Sequence, residues 1–64
     1  MKYYNFETMF DWLANNISDY LHANNIYYEL SKNGRLYHFE ILTDPAGADV
    51  INGAIDIFRE VKGV

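Results

Sequence analysis

The chain has 64 residues, a net charge of −4, half of its residues apolar and no cysteine. This length suits one small domain, residues 1–64, and the apolar content is that of a folded protein, not a disordered one. The lack of cysteine excludes disulfides and thiolate metal sites, and the acidic balance disfavours direct nucleic-acid binding, which needs a basic face.

The first predicted element is a helix. From Phe6 to Leu21 apolar residues recur at steps of three and four, which indicates an amphipathic helix that ends at about His22, with Asn5 as its N-cap. Asn24-Asn25 follows as a stop. The predicted core face of this helix comprises Phe6, Met9, Phe10, Leu13, Ile17, Tyr20 and Leu21. Ahead of it, Lys2, Tyr3 and Tyr4 could add a short N-terminal strand.

A β-hairpin comes next, because two β-favouring runs flank Asn33-Gly34, the pair most favoured in a type I′ turn. In that register Lys32 faces Arg35. The apolar face then pairs Leu30 with Tyr37, Tyr28 with Phe39 and Ile26 with Ile41, and the other face pairs Ser31 with Leu36, Glu29 with His38 and Tyr27 with Glu40.

A second helix is predicted from Asp44-Pro45, where Asp44 caps the helix and Pro45 occupies its first position, to about Val61, with Gly63 as the stop. Gly47 and Gly53 weaken it unless a backbone packs closely there. Its predicted core stripe comprises Val50, Ile51, Ala54, Ile57, Phe58 and Val61.

The expected fold is therefore α+β, with the order α-β-β-α and an antiparallel hairpin packed on two helices. A two-stranded ribbon leaves both edges unpaired, so we expect edge pairing into a homodimer. No apolar run reaches the roughly 18–20 residues of a membrane span, and the start of the chain lacks a signal-peptide pattern. We expect a cytoplasmic protein without membrane contact.

Catalytic chemistry is poorly supplied, since the hydroxyl residues and the two histidines stand in no recognised elbow or triad context. The most site-like group is Glu29, His38 and Glu40, whose two carboxylates and imidazole suit a divalent ion. An exposed sheet offers no pocket, however, and a cross-strand ion pair is the favoured interpretation. We expect a non-enzymatic protein with no catalytic residue, no metal site and no cofactor.

The acidic residues make much of the predicted surface negative, with Glu7 and Asp11 one helical turn apart and Asp49, Asp56 and Glu60 along one side of the second helix. Ordinary solvation explains such charges, and a docking surface for a basic groove is the sharper interpretation. Trp12 lies beyond the edge of its helix's apolar face, so it either packs over the core rim or anchors a partner. The candidate partner-binding residues are Glu7, Asp11, Trp12, Asp19, Tyr27, Glu29, Glu40, Asp49, Asp56 and Glu60.

In overall character the chain resembles the small acidic proteins that phages and prophages encode to inhibit host defence nucleases, including anti-CRISPR proteins. The resemblance is carried by a single acidic domain without cysteine, a helix-hairpin-helix plan and turn residues such as Lys32-Asn33-Gly34. It implies inhibition by binding to a basic surface of a nuclease effector in the host cytoplasm, without chemistry of the inhibitor's own. The alternative is a homo-oligomeric structural or assembly protein.

Overall fold

The computed structural model describes residues 1–63 and shows a three-stranded antiparallel sheet with two helices packed against one face. Along the chain the elements are β1 (Lys2–Thr8), α1 (Asp11–Ala23), β2 (Tyr28–Asn33), β3 (Leu36–Thr43) and α2 (Pro45–Lys62). The strand order is β1-β3-β2, so β3 is paired on both sides. The α+β class is confirmed.

The core lies between the helices and the inner face of the sheet. Successive side chains of a strand point to opposite faces, so Phe39 and Ile41 of β3 share the face that the helices cover. Phe6 and Tyr28, on the two outer strands, pack against Phe39 at ring-centroid distances of 6.4 and 5.9 Å. The buried core comprises Leu13, Ala14, Ile17, Leu21, Phe39, Ile41, Ile51 and Ile55.

The predicted start of the first helix is wrong. Residues Lys2–Thr8 form a strand along β3, and α1 begins only at Asp11 with Phe10 as its N-cap, so Asn5 caps no helix. The expected short N-terminal strand exists and is longer than Lys2–Tyr4. In so short a segment the spacing of Phe6 and Phe10 fits a strand face as well as a helix face, and pairing with β3 decides between them.

The predicted hairpin register is also wrong. Asn33 pairs with Leu36, so the two turn residues are Gly34 and Arg35 instead of Asn33 and Gly34. Only Gly34 of this turn has a positive φ, 64°. Positive φ at the first central residue alone is the type II′ pattern, whereas type I′ requires it at both. Each β2 residue is therefore displaced by two positions along β3, which leaves every side chain on its predicted face.

The start of α2 and the C-terminal ends of both helices agree with the sequence signals. The Asp44 side chain accepts a hydrogen bond from the Gly47 N–H at 2.7 Å, and Pro45 is in the first turn. Gly63 ends α2 in the left-handed conformation with φ 81°, while Asn24 ends α1 and Asn25 has φ 55°. Neither helix within residues 1–63 is long and apolar enough to cross a membrane.

Two predicted core faces are wider than the observed ones. In α2 the core contacts come from Ile51, from Ile55, which the predicted stripe lacks, and from Phe58, whereas Val50, Ile57 and Val61 are exposed. Before α1, Met9 and Phe10 are exposed as well. Three strands and one neighbouring helix cover only part of each helix's circumference, so the remainder of each apolar arc stays in solvent.

Candidate functional site

The face of the sheet opposite the helices is open. We call it the outer sheet face and define it by the side chains that alternation directs away from the core. Its members are Tyr3, Asn5, Glu7, Tyr27, Glu29, Ser31, Asn33, Leu36, His38, Glu40 and Leu42. None of these strand and flanking positions is Lys or Arg, so the face carries three carboxylates and one imidazole as its ionisable side chains besides the tyrosines.

At one end of this face, two tyrosines flank a leucine. Tyr3 pairs with Leu42, and the Leu42 N–H donates to the Tyr27 carbonyl at 3.0 Å, so the three residues form a row across the sheet. Tyr3 and Tyr27 are 52% and 55% exposed. Exposed tyrosines of this kind present an apolar ring together with a polar hydroxyl, which is the composition of many protein interfaces.

Next to that row, two carboxylates face each other. Glu29 of β2 pairs directly with Glu40 of β3, and Asn5 completes the row on β1. Opposed residues on neighbouring strands have Cβ atoms about 5 Å apart, where like charges destabilise a sheet. The fold therefore holds a repulsive pair on a surface that it leaves uncovered.

His38 offers this pair only partial compensation. Its Nδ1 lies 2.9 Å from Glu7 Oε2 and its Nε2 lies 3.7 Å from Glu40 Oε1. The predicted pairing of His38 with Glu29 is wrong, since the residue opposite His38 on β2 is Ser31 and the one on β1 is Glu7. The His38 imidazole thus lies between the carboxylates of Glu7 and Glu40 and forms no ion pair with Glu29 among the described residues.

The negative charge of this face raises the pKa of the Tyr27 hydroxyl. Charge repulsion from the Glu29 carboxylate, two residues along the strand, is the largest cause that raises the pKa of Tyr27 above its ordinary value of 10.0. Tyr27 therefore keeps its proton to a higher pH than an ordinary tyrosine, and its hydroxyl can donate a hydrogen bond beside a carboxylate.

The ionisable side chains of the outer sheet face are not gathered into a cluster of metal ligands. Within residues 1–63, no group of three or more His, Asp or Glu side chains is placed to hold a metal ion. Thr8 and Thr43 are the only buried polar residues of that range, so its carboxylates and imidazoles all reach solvent. Contrary to the expectation that the sheet offers no pocket, a concavity of about 230 Å³ is lined by Glu29, His38 and Glu40 together with Leu30 and Ser31.

The ten candidate partner-binding residues do not form one site. Four of them, Glu7, Tyr27, Glu29 and Glu40, share the outer sheet face. Glu7 belongs to β1, not to a helix, so the predicted spacing of one turn between Glu7 and Asp11 is wrong. The other six lie on the helical layer of the molecule: Asp11, Trp12, Asp19, Asp49, Asp56 and Glu60.

On α1 two candidates are engaged within the chain. The Tyr37 hydroxyl donates to Asp11 Oδ1, which ties the start of α1 to β3. Trp12 is half-buried against the core, stacks on Phe10 at 5.6 Å and has Lys62 Nζ 5.5 Å from its ring. Of the two readings of Trp12 offered by the sequence, packing over the core rim describes this position.

Tyr3 and Leu42 are members of the face that the candidate list lacks. The sequence places Tyr3 in a possible short strand, Lys2–Tyr4, but assigns the residues from Asn5 onward to the first helix, although the alternation of Tyr3, Asn5 and Glu7 with Tyr4, Phe6 and Thr8 is a strand signal. The fold and this face together define a two-layer α+β protein with one open, acidic and aromatic sheet surface. Compared with protein-family models, curated proteins and solved structures, the chain matches none.

Proposed function

We propose that this chain is a non-enzymatic binding module whose outer sheet face docks onto the basic surface of a nucleic-acid-processing enzyme and blocks it, in the manner of an anti-CRISPR protein in the host cytoplasm. The observation that carries the proposal is the Glu29–Glu40 pair, two carboxylates directly opposed on the open sheet face without Lys or Arg beside them. Local conflicts of this sort are expected where a surface is shaped for a partner.

A basic groove complements this pair. Lys or Arg side chains that normally hold phosphates would relieve the repulsion between Glu29 and Glu40 on docking, and desolvated charged hydrogen bonds with them are strong. The Tyr3–Leu42–Tyr27 row adds apolar area next to the charges. Lys and Arg side chains that contact these carboxylates cannot bind the phosphates of nucleic acid at the same time. Docking would therefore inhibit the enzyme directly.

The test is capture with matched charge variants. The immobilised chain is incubated with nuclease-treated host lysate at low salt and at about 0.5 M salt, where the Debye length is about 4 Å. We expect recovery of a nucleic-acid-binding enzyme that duplex DNA displaces and whose cleavage of its own substrate the free chain inhibits. Glu40→Lys should abolish this recovery, because it places a positive charge at the centre of the face.

The control variant is Asp19→Lys, which makes the same charge change on α1, away from the sheet. It should leave both recovery and inhibition intact. Equal losses with both variants would mean that net charge, not the outer sheet face, governs binding, and recovery that neither variant alters would contradict the proposal.

The second candidate is a homo-oligomeric assembly protein, and the sheet edges favour it. In the order β1-β3-β2 both outer strands have a free edge, and neither contains proline. Such edges pair readily with another strand. This candidate predicts a native mass of two or more chains.

A further inference from the structure

The strongest feature that the proposed function does not use is an exposed apolar row along α2. Val50, Ile57 and Val61 are 59%, 59% and 84% exposed. Their spacing of seven and four residues aligns them on one side of the helix over about 16 Å. Natural surfaces scatter exposed aliphatic residues singly, so an aligned set of three marks a contact surface.

A row of carboxylates runs parallel to it. Its members, Asp49, Asp56 and Glu60, are exposed, and each directly precedes one residue of the apolar row. The acids therefore have the same spacing as the apolar residues and lie about 100° from them around the helix axis. Within the described chain, 1–63, none of the three takes part in a salt bridge. We call the two rows together the α2 double row.

The basic residues of α2 do not neutralise these acids. The Arg59 guanidinium lies 5.9 Å from the Phe6 ring centre and Lys62 Nζ lies 5.5 Å from that of Trp12. Both cations are thus drawn toward aromatic rings of other elements. The double row keeps an apolar side and a negative side, both open to solvent.

We propose that the α2 double row binds an amphipathic helix of another protein, one with apolar residues facing Val50, Ile57 and Val61 and a flank of Lys or Arg facing the acids. Helices of this kind bind apolar surfaces through residues spaced by three, four and seven. The basic flank follows from charge complementarity, because the acidic row lies on one side of the apolar row only.

A second copy of this chain is a poor occupant. When two identical helices pack antiparallel about a two-fold axis, the same flank of each meets, so Asp49, Asp56 and Glu60 would face their own copies. In a parallel pair the acids would face the side of Ala54 and Phe58, where the cation, Lys62, is already engaged with the Trp12 ring. The double row therefore fits a different, basic chain.

The test uses a designed helical peptide of about 14 residues with leucine at heptad positions and lysine along one flank. Two matched peptides replace either every lysine with glutamate or every leucine with serine. We expect only the leucine–lysine peptide to bind. Its addition to the full chain should shift the protein's amide NMR signals at residues 49–61. Ile57→Ser should weaken this binding about tenfold, as expected for a central anchor.

Asp56→Asn should weaken binding severalfold and reduce its salt dependence, whereas Asp19→Asn on α1 should change neither. Glu40→Lys, which tests the outer sheet face, should also leave peptide affinity intact. The proposal for the α2 double row is therefore tested independently of the proposed function. Equal binding of the glutamate or serine peptide, shifts that map elsewhere, or a dimer that Ile57→Ser dissociates would each overturn the proposal.

Discussion

Gly47 and Gly53 both interrupt α2, and their surroundings give them opposite roles. A Cβ at Gly47 would lie 2.0 Å from Thr43 Oγ1 and 3.1 Å from Asp44 Oδ1, and Thr43 is buried. A Cβ at Gly53 would meet nothing within 4 Å. Gly47 is therefore required for the close approach of β3 and the capping carboxylate to the helix start, while Gly53 only weakens the helix.

Alanine substitutions at the two glycines should shift stability in opposite directions. Gly53→Ala should stabilise the chain by about 1 kcal/mol through helix propensity. Gly47→Ala gains the same propensity but forces Thr43 and the cap to move, with a net loss of about 1 kcal/mol or more. Urea denaturation of both variants measures this. Stabilisation by Gly47→Ala would show that the helix start tolerates the added methyl.

Among the elements, β2 and β3 carry an unfavourable pairing. The ladder aligns Glu29 with Glu40, and the resulting field raises the pKa of Tyr27. Since the raised pKa favours the protonated hydroxyl in the folded state, the associated stability is present below the ordinary tyrosine pKa and is lost as pH rises through the raised value. The loss of stability is therefore confined to alkaline solution.

Glu29→Gln should stabilise the free chain by a few tenths of a kcal/mol, because it removes the repulsion across the ladder. The same change should lower the pKa of Tyr27 toward its ordinary value, as followed by NMR of the hydroxyl-bearing ring carbon. Glu60→Gln, which removes an exposed helix carboxylate instead, should alter neither quantity. A less stable Glu29→Gln variant would show that Glu29 forms a favourable contact in the fold.

The elements that the sequence predicts well are those with local signals. Asp44-Pro45, Gly63 and Asn24-Asn25 act through their own backbone neighbours, so the start of α2 and the ends of both helices could be predicted from short segments. The extent of β1 is harder to predict, because the residues from Phe6 onward fit the helix period as well as strand alternation, and pairing with β3 decides between them. The position of Glu7 on the outer sheet face depends on that pairing.

For the molecule as a whole, the acidic residues form two surfaces on different layers. The outer sheet face contains Glu7, Glu29 and Glu40, while α2 presents Asp49, Asp56 and Glu60. Sequence could supply the list of acidic residues but not this division, because the side of the molecule on which a residue lies is set by packing of one element on another. One rigid partner surface cannot contact both layers at once.

The native mass decides between the two candidate functions at this scale. Sedimentation equilibrium at micromolar concentration should give the mass of a single chain if the open faces are reserved for other proteins. A mass of two chains that Tyr27→Lys reduces to one would favour the assembly protein, since Tyr27 adjoins the β2 edge. Ile57→Lys, on the opposite layer, is the matched control and should leave that mass unchanged.

The position of β1 has a consequence for synthesis. β1 leaves the ribosome before its strand partner β3, which is complete only when Thr43 has been added. Until then the β3 edge with which β1 pairs does not exist. Once this edge has formed, β1 of a neighbouring nascent chain can pair with it as well as β1 of the same chain can. Crowded ribosomes on one messenger therefore favour exchange of this strand between chains, which would give a domain-swapped product.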